Sequence, residues 1–157
     1  MPNVAPAATP RARKVKQVTR MSGVRRARVL IAEDDRAFRI MLVWAFEENG
    51  YEVVAVANGN DMLHTLASSM LPRSGVKELD LIVSDLRMPG WSGLAGLEKL
   101  ADNPLLPPIV LITAFGTEEV KQRAKHAGVV AVLDKPFDLD ELTALADTLL
   151  AQPHGAP

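Results

Sequence analysis

Cysteine is absent from the 157 residues, which excludes a disulfide framework and any metal site built on thiolates. That is compatible with a reducing compartment, and a cytoplasmic location is the expectation. Histidine is scarce. His64 and His126 fall on expected helices and His154 in the tail, at no ligand spacing, so all three read as surface residues. No apolar run approaches the ~18 residues of a membrane span, and no charged-then-apolar signal segment opens the chain. No Gly-x-Gly-x-x-Gly follows the first expected strand, which argues against dinucleotide binding. Acidic residues are missing from positions 1–28, which carry eight Lys and Arg.

What remains is a chain with a real core. Nearly half of it, 48%, is hydrophobic, and the length suits one domain. Beyond residue 28, ten basic residues face nineteen acidic ones, a net of −9. So acidic a body argues against nucleic acid as the ligand of the folded domain. Residues 1–28 are Pro- and Ala-rich, then basic, with almost nothing large and apolar, and are expected to be disordered. A basic tether to an anionic surface is one use for such a segment; a solvated leader is the plainer one. Residues 29–151 form the expected domain, and 152–157 a polar tail.

Within the domain, short buried runs alternate with amphipathic ones. Strands are expected at Val29–Ala32, Glu52–Val56, Leu79–Ser84, Ile109–Thr113 and Val129–Leu133. Helices are expected at Arg36–Glu48, from the Asn58-Gly59 turn to about Met70, at Gly93–Ala101 and Thr117–Ala127, and from the Asp138 cap to about Ala151. Asp35 reads as the N-cap of the first helix rather than as a ligand. Five βα units in succession imply a doubly wound parallel α/β sheet with right-handed crossovers.

The stretch from Leu79 to Gly90 locates the chemistry. Its apolar run ends at Asp85, and Met88-Pro89-Gly90 turns the chain directly afterwards. A carboxylate at that point belongs where the sheet opens to solvent, and ligand crevices in such sheets lie outside the carboxyl ends of the strands. The other strands deliver Glu33 and Asp34, Thr113, and Lys135-Pro136 to the same edge. Three acids with backbone carbonyl and water, and no His or Cys, make a hard-oxygen site whose preferred metal is Mg²⁺. Lys135 adds a point charge and Thr113 a hydroxyl donor, which suits a phosphoryl group held while a carboxylate attacks phosphorus.

These residues resemble the receiver domain of two-component response regulators over roughly Arg28–Ala151. Glu33-Asp34, the Asp85-Leu-Arg-Met-Pro-Gly90 turn, Thr113 and Lys135-Pro136-Phe137 all fall in that family's register. The resemblance implies a flavodoxin-like (βα)5 fold with strand order 2-1-3-4-5. It implies that Asp85 accepts phosphate from a histidine kinase or histidine phosphotransferase and passes a signal to a further protein. Asp34, Asp85 and the Arg87 carbonyl would hold Mg²⁺, Glu33 mostly through water, with Lys135 and Thr113 on the phosphoryl oxygens. Such a module is not an enzyme beyond its own phosphorylation and dephosphorylation. A degenerate receiver serving only protein contacts, and a Mg²⁺-dependent phosphoaspartyl hydrolase, are the competing classes.

Two departures from the family pattern stand out. Val132 occupies the place of the usual Tyr or Phe that changes rotamer on phosphorylation, which leaves Phe115 as the nearest aromatic on the segment that moves. The Ser68–Glu78 link is longer than usual, but it enters the third strand at the end away from Asp85.

Overall fold

A computed structural model describes residues 25–71, 75–91 and 93–151. The expectations for residues 1–24 and 152–157 lie outside the described residues. Ten elements alternate: β1 (Arg28–Ala32), α1 (Arg36–Glu48), β2 (Glu52–Val56), α2 (Gly59–Met70), β3 (Leu81–Asp85), α3 (Leu94–Leu100), β4 (Ile109–Thr113), α4 (Glu118–His126), β5 (Ala131–Asp134) and α5 (Leu139–Ala151). The five strands form one sheet in the order β2-β1-β3-β4-β5, every pairing parallel, as expected for a doubly wound flavodoxin-like fold. Among the described residues, no helix is long and apolar enough to cross a membrane.

The central strands β3 and β4 are buried at every position, because helices cover both faces of a parallel sheet. Side chains alternate between two cores. On one face Leu30, Ile82 and Leu111 meet Met62 and Leu66 of α2, Leu97 of α3 and Ala124 of α4. On the other, Ile31, Val83, Val110 and Ile112 meet Leu42 and Phe46 of α1 and Leu142 and Ala146 of α5. Helix starts follow local chemistry. Asp35, Asn58 and Thr117 each accept a hydrogen bond from a backbone N–H three residues on.

Several boundaries differ from expectation, each for a stated reason. β1 begins at Arg28, one residue earlier, and the Ala27 carbonyl already accepts from Glu52 N–H at 2.9 Å. Arg25, inside the segment expected to be disordered, pairs with Asp80 at 2.7 Å. β3 starts at Leu81 rather than Leu79, because the Asp80 carboxylate is turned aside to accept from the Arg28 backbone at 2.7 Å. At its other end Asp85 pairs in register with Ile112, so it is the last strand residue rather than the first beyond it. β5 starts at Ala131 rather than Val129: the Val129 amide closes the end of α4 by donating to the Ala124 carbonyl, with Gly128 at φ +80°.

One close approach fixes the loop after Asp85. The Gly59 amide at the start of α2 donates to the Pro89 carbonyl at 2.8 Å. A Cβ at Gly59 would stand 2.5 Å from the Gly90 carbonyl oxygen and 2.4 Å from Trp91 Cβ, so backbone would have to move. Gly59→Ala should therefore destabilise the domain by roughly 1–3 kcal/mol, the usual scale of overpacking. Urea unfolding measures it, and a midpoint equal to wild type would show that the α2 start and this loop separate without cost.

Candidate functional site

Four strand ends meet at the carboxyl edge of the sheet. Glu33 and Asp34 follow β1 directly, Asp85 closes β3, Thr113 closes β4, and Lys135 follows β5. Pairing of Ala32 with Ser84, Asp85 with Ile112 and Thr113 with Asp134 brings all of them to one level. Lys135 Nζ donates to Glu33 Oε2 and to Asp85 Oδ2, each at 2.8 Å. Glu33, Asp34 and Asp85 each offer a carboxylate oxygen, and these oxygens lie within 4.8 Å of one another. Oxygens across an octahedral Mg²⁺ stand about 4.2 Å apart, given bonds of about 2.1 Å. The all-oxygen donor set and its spacing therefore fit that ion.

Burial separates the three acids. Glu33 is buried, Asp85 nearly so, and Asp34 is exposed. Glu33 is anchored by the Asp35 amide, which donates to Oε1 at 3.0 Å. Asp85 Oδ1 accepts from the Arg87 amide at 3.1 Å. Arg87 thus belongs to the site through its backbone, and its carbonyl, expected as a ligand, sits in the same turn. Thr113 is fully buried, and its Oγ1 accepts from the Phe115 amide at 3.0 Å. That leaves the hydroxyl hydrogen to donate elsewhere.

Burial pushes the Glu33 carboxyl above its ordinary range, and the Asp85 charge adds to this. Hydrogen bonds from Lys135 and Asp35 pull the other way without cancelling the shift. Burial by itself would lower the Lys135 ammonium, but its hydrogen bonds to Asp85 and Glu33 outweigh that and hold it above its ordinary value. Lys135 is the cation that pairs with two of the site's three acids.

Several contacts here carry no sequence signature. Lys135 Nζ lies 4.8 Å from the Phe38 ring centroid, and Phe38 packs edge-on against Phe137 at 5.8 Å. Arg39 Nη1, from α1, donates to the Glu33 carbonyl at 2.7 Å and to the Asp34 carbonyl at 3.3 Å. The Arg87 guanidinium lies 4.0 Å over the Phe115 ring, a bridge between the β3–α3 and β4–α4 loops. Val132 packs against the α2–α3–α4 core, and Asp35 caps α1 as expected. His64 and His126 are exposed and away from the site; His154 lies outside the described residues.

The raised Glu33 value has a consequence with a definite sign. The folded, metal-free protein holds the Glu33 proton to higher pH than the unfolded chain does. Stability from this residue is therefore lost as pH rises from the ordinary carboxylate range through the raised value. Glu33→Gln should flatten that part of a urea-midpoint profile recorded without divalent cations. A slope unchanged by the substitution would show that Glu33 titrates alike in the folded and unfolded chains.

Comparison with known proteins agrees with this fold. The model of the response regulator receiver domain matches residues 29–147. The transcriptional regulatory protein PdtaR of Mycobacterium tuberculosis is 36% identical over 115 residues, covering 73% of this chain and 52% of PdtaR. The chain thus spans about half the length of that relative, and about a quarter of the NtrC proteins it also matches. Sporulation initiation phosphotransferase F of Bacillus subtilis is 28% identical over 115 residues, covering 73% of this chain and 86% of that protein. Among solved structures, the Thermotoga maritima response regulator TrrA in complex with Mg²⁺ and BeF superposes with a TM-score of 0.65 at 27% identity, over 79% of this chain and 99% of that one. The chain belongs to the response regulator receiver domains of two-component systems.

Proposed function

We propose that Asp85 is the phosphoacceptor of a phosphorelay and that the domain changes its protein contacts when phosphorylated. The observation that carries this reading is the double hydrogen bond of Lys135 to Asp85 and Glu33, at the edge that also gathers Asp34 and Thr113. An Asp85 oxygen forms the new bond to phosphorus as the phosphorus–nitrogen bond of a donor phosphohistidine breaks, and the imidazole leaves with the electron pair. Lys135 and the Thr113 hydroxyl bind the phosphoryl oxygens, holding the charge that develops on them. Asp34, Asp85 and the Arg87 carbonyl, with Glu33 mostly through water, would hold Mg²⁺, which would supply further positive charge at the site. The chemistry ends at the protein's own aspartyl phosphate and its hydrolysis, so the domain is a signalling module rather than an enzyme acting on other substrates. Its acidic body sets nucleic acid aside as a ligand of the folded domain.

Acetyl phosphate with Mg²⁺, followed by intact-mass measurement, tests the assignment. The wild type should gain the mass of one phosphoryl group, lost in Asp85→Asn and suppressed by a chelator. Labelling of Asp85→Asn at the wild-type rate would refute the site. Turnover of the donor without an adduct would favour the hydrolase class, and inertness a receiver used only for contacts.

The donor is a histidine kinase or histidine phosphotransferase, and α1 supplies a surface for it. Ile40, Met41 and Trp44 are exposed at 56%, 51% and 67%. Val43, on the same helix, is half-buried against the core that α1 shares with α5. These residues begin one turn beyond Asp35, whose neighbours Glu33 and Asp34 lie at the site, so a helical donor seated there brings its histidine within reach of Asp85. Ile40→Ala with Trp44→Ala should slow transfer from the kinase at least tenfold, the scale of losing two apolar anchors. Labelling by acetyl phosphate should stay at the wild-type rate. An equal loss with both donors would locate the defect in the fold rather than in docking.

A further inference from the structure

The amino end of α1 differs from those of α2, α4 and α5. α2 has Asp61 in its first turn, α4 has Glu118 and Glu119, and α5 has Asp140 and Glu141, each placed well against the positive end of the helix dipole. α1 has no acid there; Arg36 opens the helix and Arg39 follows within one turn. A cation at that end of a helix is unfavourable unless it finds acceptors. Arg39 finds two. One guanidinium nitrogen binds the carbonyls of Glu33 and Asp34 together, at 2.7 and 3.3 Å. The same residue's backbone amide donates to the Asp35 carbonyl at 2.9 Å. Both ends of Arg39 thus hold the three residues Glu33, Asp34 and Asp35, and the side chain is only partly exposed.

We infer that Arg39 is a positioning residue for the metal-binding acids. Pinning two successive carbonyls fixes the peptide planes on either side of Asp34, and with them the direction in which that exposed carboxylate leaves the chain. Asp34 has no other side-chain anchor among the hydrogen bonds described, in contrast to Glu33 and Asp85. The clamp therefore limits the ordering that a divalent cation would otherwise have to impose. This rests on the reading of Glu33, Asp34 and Asp85 as a Mg²⁺ site.

Two measurements on the full chain test it. Calorimetric Mg²⁺ titration should show the dissociation constant rising about tenfold in Arg39→Gln, the usual scale for groups that orient metal ligands. Arg39→Lys, which keeps the charge but not the planar fork, should fall between Arg39→Gln and wild type. The loss should persist at high salt. If Arg39 acted only as a nearby charge, Arg39→Gln would bind Mg²⁺ more tightly at low salt, and the inference would fall. Unchanged affinity in a folded Arg39→Lys or Arg39→Gln protein overturns it as well. Amide exchange in metal-free protein gives the second readout: the Asp35 amide should exchange faster in Arg39→Gln while Phe46, later in α1, keeps its protection. A wild type that bound no Mg²⁺ while this loosening still appeared would defeat the metal reading and leave the positioning role standing.

Discussion

The ammonium of Lys135, shared between Glu33 and Asp85, is the contact on which the arrangement of the site depends. Glu33 is buried beside a second carboxylate, and an uncompensated charge there would be costly. One donor answers for both acids, and it comes from 102 residues away in one case and 50 in the other. Such a contact exists only if β1, β3, β4 and β5 all end at the same level. A slip of one residue in any pairing would turn the terminal side chain to the opposite face. The apolar alternation of the strands, which drives the two cores, is therefore also what sets the geometry of the charged edge.

Much of this was legible in the sequence because it is local. The strands and helices follow hydrophobic period, and the caps at Asp35 and Thr117 follow from a short polar side chain ahead of an apolar run. The positions of Glu33, Asp34, Asp85, Thr113 and Lys135 at strand ends followed from those elements. What escaped is of two kinds. Val129 and Val130 look like strand, yet the Val129 amide is claimed by the end of α4, a competition between two uses of one N–H that composition does not display. Arg39 and Phe38 look like any charged and apolar residues of an amphipathic helix. Their contacts with the Glu33 and Asp34 carbonyls and with Lys135 depend on where α1 lies across the sheet edge.

Val132 bears on how a change at Asp85 could reach the surface. A β-branched side chain has one torsion, strongly restricted, and lacks the bulk to exchange between a buried and an exposed position as an aromatic can. Contacts in this chain run instead through the backbone after β4. Thr113 Oγ1 holds the Phe115 amide, and the Phe115 carbonyl accepts from Thr117, the N-cap of α4. Between them Gly116 lies so close to Asp134 that a Cβ there would stand 1.7 Å from its carboxylate oxygen. Asp134 in turn pairs with Lys121 of α4 at 2.8 Å. A displacement of Thr113 toward a phosphoryl group would thus act on a main chain already braced against β5 and α4. Phe115 is held from outside by Arg87, two residues beyond Asp85, so the loops carrying the acceptor and the hydroxyl are tied to each other. The missing aromatic removes one way of transmitting a change, while the bonds around Phe115 and Gly116 keep β4 mechanically joined to α4.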